Sequence, residues 1–386
     1  MSAAEPKVYG WCPGALRPMM SGDGLVVRIR APLGRLSSEE ARAVAGLSER
    51  FGNGILDLSA RANLQMRGVR PEAHPDLIAA LQDIGLVEQD ASAEARRNIL
   101  LTPFWQAGDR SHHIALDLTA RLAAAEDLAL PGKFGFAVDA GAAPLLQDTA
   151  ADIRIEGEGE CLTLRADGAD VALEVTPESA ASEALALARW FLAHGGASEG
   201  RGRMQALLTR RAAPEAHDAG VAKGAPRPLP GETPTGSLVA LEFGQISAET
   251  FATLADLGPL RLTPWRMLLI EDARVTVPLP GLIHSATDPR LQVSACTGAP
   301  GCLQALSATR ALARDLARHL PAGLSLHVSG CAKGCAHPKP ADVTLTATGS
   351  ETFDLIRRGR ADAAPARPHL SAAALRATPD LLTKDI

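Results

Sequence analysis

Apolar runs and amphipathic segments follow one another in the same order at two places in the chain. The runs LVVRIR (25–30) and LVALEF (238–243) have the composition of strands. Each precedes a segment with helical periodicity, at 33–47 and 243–257, and a second apolar run, at 54–61 and 258–266. The two helical segments align at an offset of 210, with five of fifteen positions identical. The pattern predicts an internal repeat of strand, turn, helix and strand, although an Ala-rich chain can also produce such likeness by chance.

Helix-capping residues support this prediction. Ser37 and Glu40 have the spacing of a capping box for the first helix, and Ser247 can cap the second. Between the copies, residues 211–236 are rich in Pro, Gly and Ala, which predicts an exposed linker between two halves.

Composition and charge narrow the class of protein. The 386 residues are 46% hydrophobic and 22% charged, with a net charge of −5, as in a soluble globular protein that binds no nucleic acid. The sequence contains no run of about eighteen apolar residues, so we expect no membrane span. The N-terminal sequence lacks the pattern of a signal peptide, so we expect a cytoplasmic protein with reduced thiols.

Four of the six cysteines form a C-x5-C pair and a C-x3-C pair, with 28 residues between the pairs. These are Cys296, Cys302, Cys331 and Cys335. Between the pairs lie a predicted helix, with Leu312, Leu316 and Leu320 on one face, and a predicted strand that ends at Cys331. This order should bring the two pairs together.

Four thiolates in glycine-rich turns suit a 4Fe-4S cluster, with zinc as the alternative. Disulfides are not expected in a cytoplasmic protein. Cys161 alternates with apolar residues as in a strand, which predicts a packing role, and the sequence assigns no role to Cys12.

The cysteine pattern after LQVSACTGAPGC, together with SARANLQMRG (59–68), RRNIL (96–100) and LPGKF (130–134), resembles the sulfite and nitrite reductase superfamily. The resemblance implies an α+β fold with two tandem ferredoxin-like half-domains and two larger α/β domains, related by a pseudo-twofold axis. The predicted domains are a first half-domain at 15–75, an α/β domain at 90–210, a linker at 211–230, a second half-domain at 231–285 and an iron-sulfur domain at 286–386. In that superfamily the cluster is joined through its last cysteine to the iron of sirohaem.

The N-terminal segment CPGALRPMMSGDGLVVRIR is more similar to one branch, the precorrin-3B synthase family. This implies oxygen-dependent conversion of precorrin-3A to precorrin-3B, by ring hydroxylation with lactone formation, in aerobic cobalamin biosynthesis. It further implies a 4Fe-4S cluster, a mononuclear non-haem iron, and NADH as the formal electron donor through a partner reductase. The alternatives are a sirohaem-dependent sulfite or nitrite reductase and a non-catalytic tetrapyrrole carrier with a structural metal site.

The resemblance also indicates binding residues. Arg61, Arg97 and Lys133 match three of the four cationic positions of the reductases, and the fourth is Gly135. This departure predicts extra space above a tetrapyrrole that is bound as a substrate and not kept as a cofactor.

If residues 61–67 form one strand, the side chains of Arg61, Asn63, Gln65 and Arg67 share a face over roughly 20 Å and can grip carboxylates. Leu64 and Met66 would then face the core.

A mononuclear iron in oxygen chemistry is usually held by two histidines and a carboxylate. The candidate ligands are His112, His113, His284, His327 and His337. The adjacent pair His112 and His113 would point apart on a strand. The sequence does not choose among them, and it assigns no catalytic residue.

Overall fold

The computed structural model describes residues 14–96, 98–214 and 218–384, so Cys12 and Arg97 lie outside the described residues. In chain order the strands are β1 (Met19–Ser21), β2 (Gly24–Ile29), β3 (Arg35–Leu36), β4 (Ile55–Leu58), β5 (Leu64–Val69), β6 (Ile99–Leu101), β7 (Phe136–Asp139), β8 (Ile153–Glu158), β9 (Cys161–Ala166), β10 (Leu173–Glu174), β11 (Gly231–Thr233), β12 (Gly236–Leu241), β13 (Gln245–Ser247), β14 (Leu260–Leu262), β15 (Met267–Glu271), β16 (Leu282–Ile283), β17 (Val293–Ala295), β18 (Leu326–Ser329), β19 (Ala341–Gly349), β20 (Thr352–Gly359) and β21 (Arg367–Ser371).

The α-helices are α1 (Ser38–Phe51), α2 (His74–Asp83), α3 (Ala91–Arg96), α4 (Arg110–Ala124), α5 (Ala180–Ala193), α6 (Met204–Leu208), α7 (Ala248–Leu257), α8 (Arg310–Ala317) and α9 (Ala372–Ala377). No helix among the described residues combines the length and the apolar character that crossing a membrane requires.

The internal repeat forms two antiparallel sheets that exchange a short strand. The first sheet has the order β1-β2-β5-β4-β13 and the second β11-β12-β15-β14-β3. Strand β13 of the second copy therefore pairs with β4 of the first, and β3 of the first copy pairs with β14 of the second. Helices α1 and α7 pack on each other, and one hydrophobic core contains buried residues of both copies. The two predicted half-domains are thus interlocked.

The repeat extends to the backbone torsions. Leu33 and Gly34 have φ of 52° and 71°, and Phe243 and Gly244, at the offset of 210, have φ of 56° and 76°. A left-handed conformation is uncommon outside glycine, so its recurrence at equivalent positions supports the repeat.

The helix caps are confirmed. Ser37 and Glu40 form a complete capping box, and the Ser247 hydroxyl accepts a hydrogen bond from the Thr250 N–H. Helix α1 spans 14 residues and α7 spans 10. The sequence offset between the two copies is therefore smaller after the helix than before it.

Two further sheets share one topology. The strands β6, β7 and β8 are parallel, and β9 and β10 add antiparallel neighbours. The strands β17, β18 and β19 are likewise parallel, followed by antiparallel β20 and β21. Each sheet belongs to its own hydrophobic core. This α+β architecture agrees with the predicted fold class.

The segment between the halves is mostly exposed, as predicted, but it follows the surface of the first α/β sheet. Ala219 pairs with Ala172, next to strand β10, and the Gln147 side chain donates a hydrogen bond to the Ala222 carbonyl. These contacts place residues 224–227 beside the cleft described below.

Candidate functional site

The four motif cysteines lie in the loops that follow β17 and β18. Helix α8 begins at Arg310, and strand β18 ends just before Cys331. The two loops are joined by a hydrogen bond from the Leu306 N–H to the Gly330 carbonyl, 2.8 Å long. The thiols of Cys331 and Cys335 both interact electrostatically with Cys296 and Cys302, so all four side chains lie at one site.

The local backbone is arranged to stabilise negative sulfur. The Gly330 N–H donates to the Cys296 sulfur at 3.1 Å, and the Lys333 N–H donates to Cys331. Desolvation raises the pKa of Cys331 and of Cys335, and repulsion among the neighbouring thiolates raises both further. A cationic partner would favour the ionised form of Cys331 and Cys335, and backbone donors to sulfur are typical of iron-sulfur sites.

A single metal ion suits this arrangement less well. No group of three or more His, Cys, Asp or Glu side chains within the described ranges is placed so that it could hold one metal ion. A cubane cluster holds its ligand sulfurs farther apart than one ion does, and the four cysteines have the ligand chemistry of such a cluster. Cys161 lies in β9 as predicted, but it is exposed beside the β8–β9 turn, so its predicted packing role is wrong.

The hairpin turn between β1 and β2 packs against the first cysteine loop. The Ser21 hydroxyl and the Gly22 N–H both donate to the Gly301 carbonyl. A Cβ atom at Gly22 would lie 1.9 Å from the Pro300 carbonyl oxygen, so this contact requires glycine.

The same contact involves Arg67. Its guanidinium donates to Asp23 and to Gly301, at 2.8 and 2.7 Å, and it lies 3.7 Å from Asp57. Arg67 is 6% exposed, so these partners within the protein occupy it.

The predicted continuous strand from residue 61 to 67 is wrong. Strand β5 begins at Leu64, because Ala62 adopts a left-handed conformation with φ of 52° and ends a turn that starts at Ser59. Asn63 is buried and donates to the Arg61 carbonyl. Only Gln65 and Arg67 share a face of the strand, and Leu64 and Met66 are buried as predicted.

Arg61 and Lys133 do meet. The Arg61 guanidinium donates to the Lys133 carbonyl at 2.7 Å, which brings the turn before β5 to the turn before β7. Lys133 is half-buried, and its ammonium makes no hydrogen bond or ion pair to the described residues.

The prediction of open space at Gly135 is also wrong. A Cβ atom there would lie 2.6 Å from the Asn98 amide nitrogen, which donates to the Phe134 carbonyl. The Gly135 N–H donates to Asp152. The side chain of Asn98 therefore fills the volume that a larger residue at position 135 would need.

The candidate iron ligands are dispersed. His112 and His113 belong to helix α4 and not to a strand, and His112 stacks on Trp105 with ring centroids 4.8 Å apart. His327 and His337 are neighbours, with centroids 5.7 Å apart. His327 is fully buried with no hydrogen-bond partner among the described residues, and desolvation together with the nearby charges of His337 and Arg266 lowers its pKa to about 4.

A cleft of about 1020 Å³ lies beside the cysteine loops. The first α/β domain, the segment between the halves, the second repeat and the loop after Cys335 all contribute walls. Its cationic lining residues are Arg154, Arg203, Arg227, Arg266, Arg290 and Lys339. The turn that carries Arg61 reaches the cleft through Ala60.

Sequence reasoning missed these arginines. If the turn after β4 is aligned with the turn after β14, Arg266 stands in the place of Ala62. The shorter helix α7 conceals that alignment, because it changes the offset.

Comparison with known proteins agrees with this architecture. Residues 17–84 match the family model described as the nitrite/sulfite reductase ferredoxin-like half domain. The solved structure of the Mycobacterium tuberculosis NirA protein shares the fold, with a TM-score of 0.64 at 19% identity, over 94% of this chain and 80% of that chain.

Two relatives match nearly the whole chain. The ferredoxin–nitrite reductase of Leptolyngbya laminosa is 26% identical, over 91% of this chain and 83% of the relative. The precorrin-3B synthase of a Sinorhizobium species is 30% identical over 390 residues, which cover 92% of this chain and 84% of the relative. The chain therefore belongs to the precorrin-3B synthase family, within the nitrite and sulfite reductase superfamily.

Proposed function

We propose that this protein converts precorrin-3A to precorrin-3B in aerobic cobalamin biosynthesis. Dioxygen is the source of a hydroxyl group on the macrocycle, its second atom leaves as water, and an acetate side chain closes to a lactone. The two electrons come formally from NADH through a separate reductase in the cytoplasm. Family membership supports the reaction class, and one observation supports the site: the cation-lined cleft is continuous with the four-cysteine loops.

That continuity is direct. Ala336, His337 and Lys339 line the cleft and follow Cys335 in the chain, and Val293 and Ser294 line it just before Cys296. A cluster held by the four cysteines would therefore adjoin whatever occupies the cleft. When bound, a 4Fe-4S cluster supplies single electrons.

The cleft also suits a tetrapyrrole acid. Precorrin-3A carries several acetate and propionate groups on a large, partly apolar ring. Trp265, Leu241, Phe243 and Ile283 provide an apolar wall, and the arginines provide bidentate donors for carboxylates.

Arg61 and Lys133, with Arg97, would hold further acid groups. The polar groups of Asn63 and Arg67 have partners within the protein. Asn63 would therefore fix the turn, and Arg67 would fix the cysteine loop. Gln65 keeps its predicted binding role. Burial of the acetate arm would exclude water while the lactone forms. A mononuclear iron has no three-residue ligand set within the described ranges, so we assign it no ligands and no step.

The second candidate is a sirohaem-dependent nitrite or sulfite reductase. The similarity to ferredoxin–nitrite reductases and the retained Arg61 and Lys133 favour it. Gly135 disfavours it, because a small buried oxyanion needs several paired cations and one is missing.

One experiment separates the two. The protein is purified anaerobically from cells that make sirohaem, its visible spectrum is recorded, and it then receives precorrin-3A, labelled dioxygen and a reductant. We expect no stoichiometric sirohaem and a product that carries one labelled oxygen atom. The Cys331→Ser protein is the control and should give no product. Stoichiometric sirohaem, or a product without label, would favour the reductase.

A further inference from the structure

Two guanidinium groups meet in the cleft without a carboxylate between them. The Arg227 side chain donates to the Trp265 carbonyl at 2.7 Å, and the Arg266 side chain donates to the Ala336 carbonyl at 2.8 Å. Arg227 is thus anchored on the residue that precedes Arg266, so the two positive charges are neighbours. Neither has a carboxylate within ion-pair distance among the described residues.

The other arginines of the cleft differ. Arg154 pairs with Asp167, Arg203 with Asp152, and Arg290 with both Asp288 and Glu242. Their charges are balanced within the protein, and only Arg227 and Arg266 among the described cleft arginines lack such a partner.

Electrostatic repulsion makes this pair of charges unfavourable. Desolvation lowers the pKa of Arg227 and of Arg266, and the charges of Arg310 and Arg227 lower the pKa of Arg266 further. Asp57 and Cys296 act in the opposite direction on Arg266, but the Asp57 carboxylate already accepts hydrogen bonds from Arg310 and Gln245. Neighbouring cations in a protein-lined cleft favour an anion as their partner.

The turn itself does not require a guanidinium. Arg266 has φ of 60°, and Ala62, at the equivalent point of the first copy, has φ of 52°. Ser59 and Thr263 accept equivalent backbone hydrogen bonds within the two turns. The repeat therefore forms the same turn with a methyl group as with a guanidinium, so formation of the turn does not account for the Arg266 side chain.

We infer that Arg227 and Arg266 form a paired-cation site for carboxylate groups of a tetrapyrrole acid. The assignment rests on the proposed function, which it refines by placing the main carboxylate grip on the second copy of the repeat. The size of the cleft favours a large polycarboxylate over a small oxyanion, because about 1020 Å³ far exceeds what a small anion fills. The apolar wall beside Arg266 suits the ring of such a ligand.

The test uses uroporphyrin III, a stable tetrapyrrole with eight carboxylates, and follows its binding by quenching of tryptophan fluorescence. Arg266→Gln and Arg227→Gln should each weaken binding about tenfold or more, the loss expected for one charged hydrogen bond. Arg274→Gln is the matched control, because Arg274 is in the same half but 84% exposed, and it should bind like the wild type.

The melting temperature distinguishes a ligand-binding role of Arg266 from a purely structural one. Arg266→Gln removes a repelled charge, so the ligand-free variant should melt at the same temperature as the wild type or a few degrees higher. Arg266→Lys retains the charge and should retain most of the affinity. A lower melting temperature together with lost binding would indicate a structural role and overturn the inference.

The outcomes separate the two proposals. If the wild type binds uroporphyrin III and both glutamine variants bind equally well, the paired-cation site is wrong while the proposed function stands. If the wild type binds citrate in an Arg266-dependent manner but not uroporphyrin III, the anion site stands and the tetrapyrrole function fails. Binding of neither anion would overturn the site.

Discussion

The two α/β sheets have the same topology, but their loops are closed by different chemistry. When the strand ends are aligned, Thr102 after β6 corresponds to Cys296 after β17, and Leu145 after β7 corresponds to Cys335 after β18. In the first sheet the Asp139 carboxylate accepts hydrogen bonds from the Leu145 and Leu146 N–H groups, and Thr102 lies near enough to lower its pKa. In the second sheet, cysteines stand at the corresponding places.

The difference shows how one scaffold can provide two walls of a cleft. The loop at 145–150 and the loop at 336–339 occupy equivalent places after their strands, and both line the cleft. The first is held internally, by Asp139 and by the buried Arg154, which donates to the Leu146 carbonyl. In the second, Ser329 stands in the place of Asp139 and donates to the Cys331 carbonyl, and by our proposal the cluster holds this loop.

Removing a cysteine should break this comparison most severely. Cys331→Ser or Cys335→Ser should abolish the cluster, because each removes one of the four proposed ligands of a 4Fe-4S cube. Anaerobic iron and sulfide analysis of the wild type should give about four of each. Cys161→Ser should keep the cluster, since Cys161 is exposed in the other sheet, and loss of iron from that variant would refute the ligand assignment.

The carboxylate should give a smaller and pH-dependent effect. Desolvation raises the pKa of Asp139 to about 6, from 3.8, while its two backbone hydrogen bonds oppose the shift. The folded protein therefore binds this proton more tightly than the unfolded chain. Asp139 stabilises the fold at low pH, and that contribution is lost as the pH rises from about 4 through 6.

Asp139→Asn cannot titrate, so the stability of the wild type relative to the variant should fall by roughly 2–3 kcal/mol between pH 4 and 7. Urea unfolding of both proteins at several pH values measures this difference, in which the other titrating groups cancel. A difference that does not change with pH would show that Asp139 titrates normally.

The sequence predicted those parts of the site that depend on local pattern. The repeat, the caps and the meeting of the two cysteine pairs follow from apolar periodicity and spacing. The strand assumed for 61–67 failed because nothing marks Ala62 for a left-handed conformation, which alanine seldom adopts.

The cleft could not be predicted for a different reason. Its walls come from segments far apart in the sequence and from both halves of the chain, and Arg227 lies in a stretch whose composition predicts only a linker. Nor could the packing of Asn98 against Gly135 be seen, since it depends on how β6 and β7 lie side by side. Local patterns do not encode such long-range contacts.

The two sheets can also be compared at the residue before β7, which is Gly135, and at the residue before β18, which is Ser325. Gly135 donates to Asp152 through its N–H, and Ser325, at the equivalent place before β18, donates likewise to Asp342. Only the first position is blocked by a neighbouring amide. Gly135→Ala should therefore cost about 1–3 kcal/mol of stability through overpacking against Asn98.

The Asn98→Ala background should recover most of that loss, because it removes the amide that a Cβ atom would strike. Ser325→Ala, the matched change in the second sheet, should cost about 1 kcal/mol for its lost hydroxyl bonds whether or not Asn98 is present. Urea unfolding of the wild type, the three single variants and the two double variants measures the coupling. Equal costs of Gly135→Ala in both backgrounds would contradict the steric explanation.

The smallest expected effect concerns the helices that begin each copy of the repeat. At α1 the Ser37 hydroxyl accepts from the Glu40 N–H, and the Glu40 carboxylate accepts from the Ser37 N–H at 2.7 Å. At α7 the Ser247 hydroxyl accepts from the Thr250 N–H at 3.1 Å, and no carboxylate completes the cap. Ser37→Ala and Ser247→Ala should each cost about 0.5–2 kcal/mol, the usual range for an N-cap serine, with the larger loss expected at the complete capping box of α1. Ser38→Ala is the control. The Ser38 hydroxyl is next to the N-cap but does not cap the helix, and alanine favours helices. Thermal unfolding of the three variants ranks the losses, and a larger loss at Ser247 than at Ser37 would contradict this ranking.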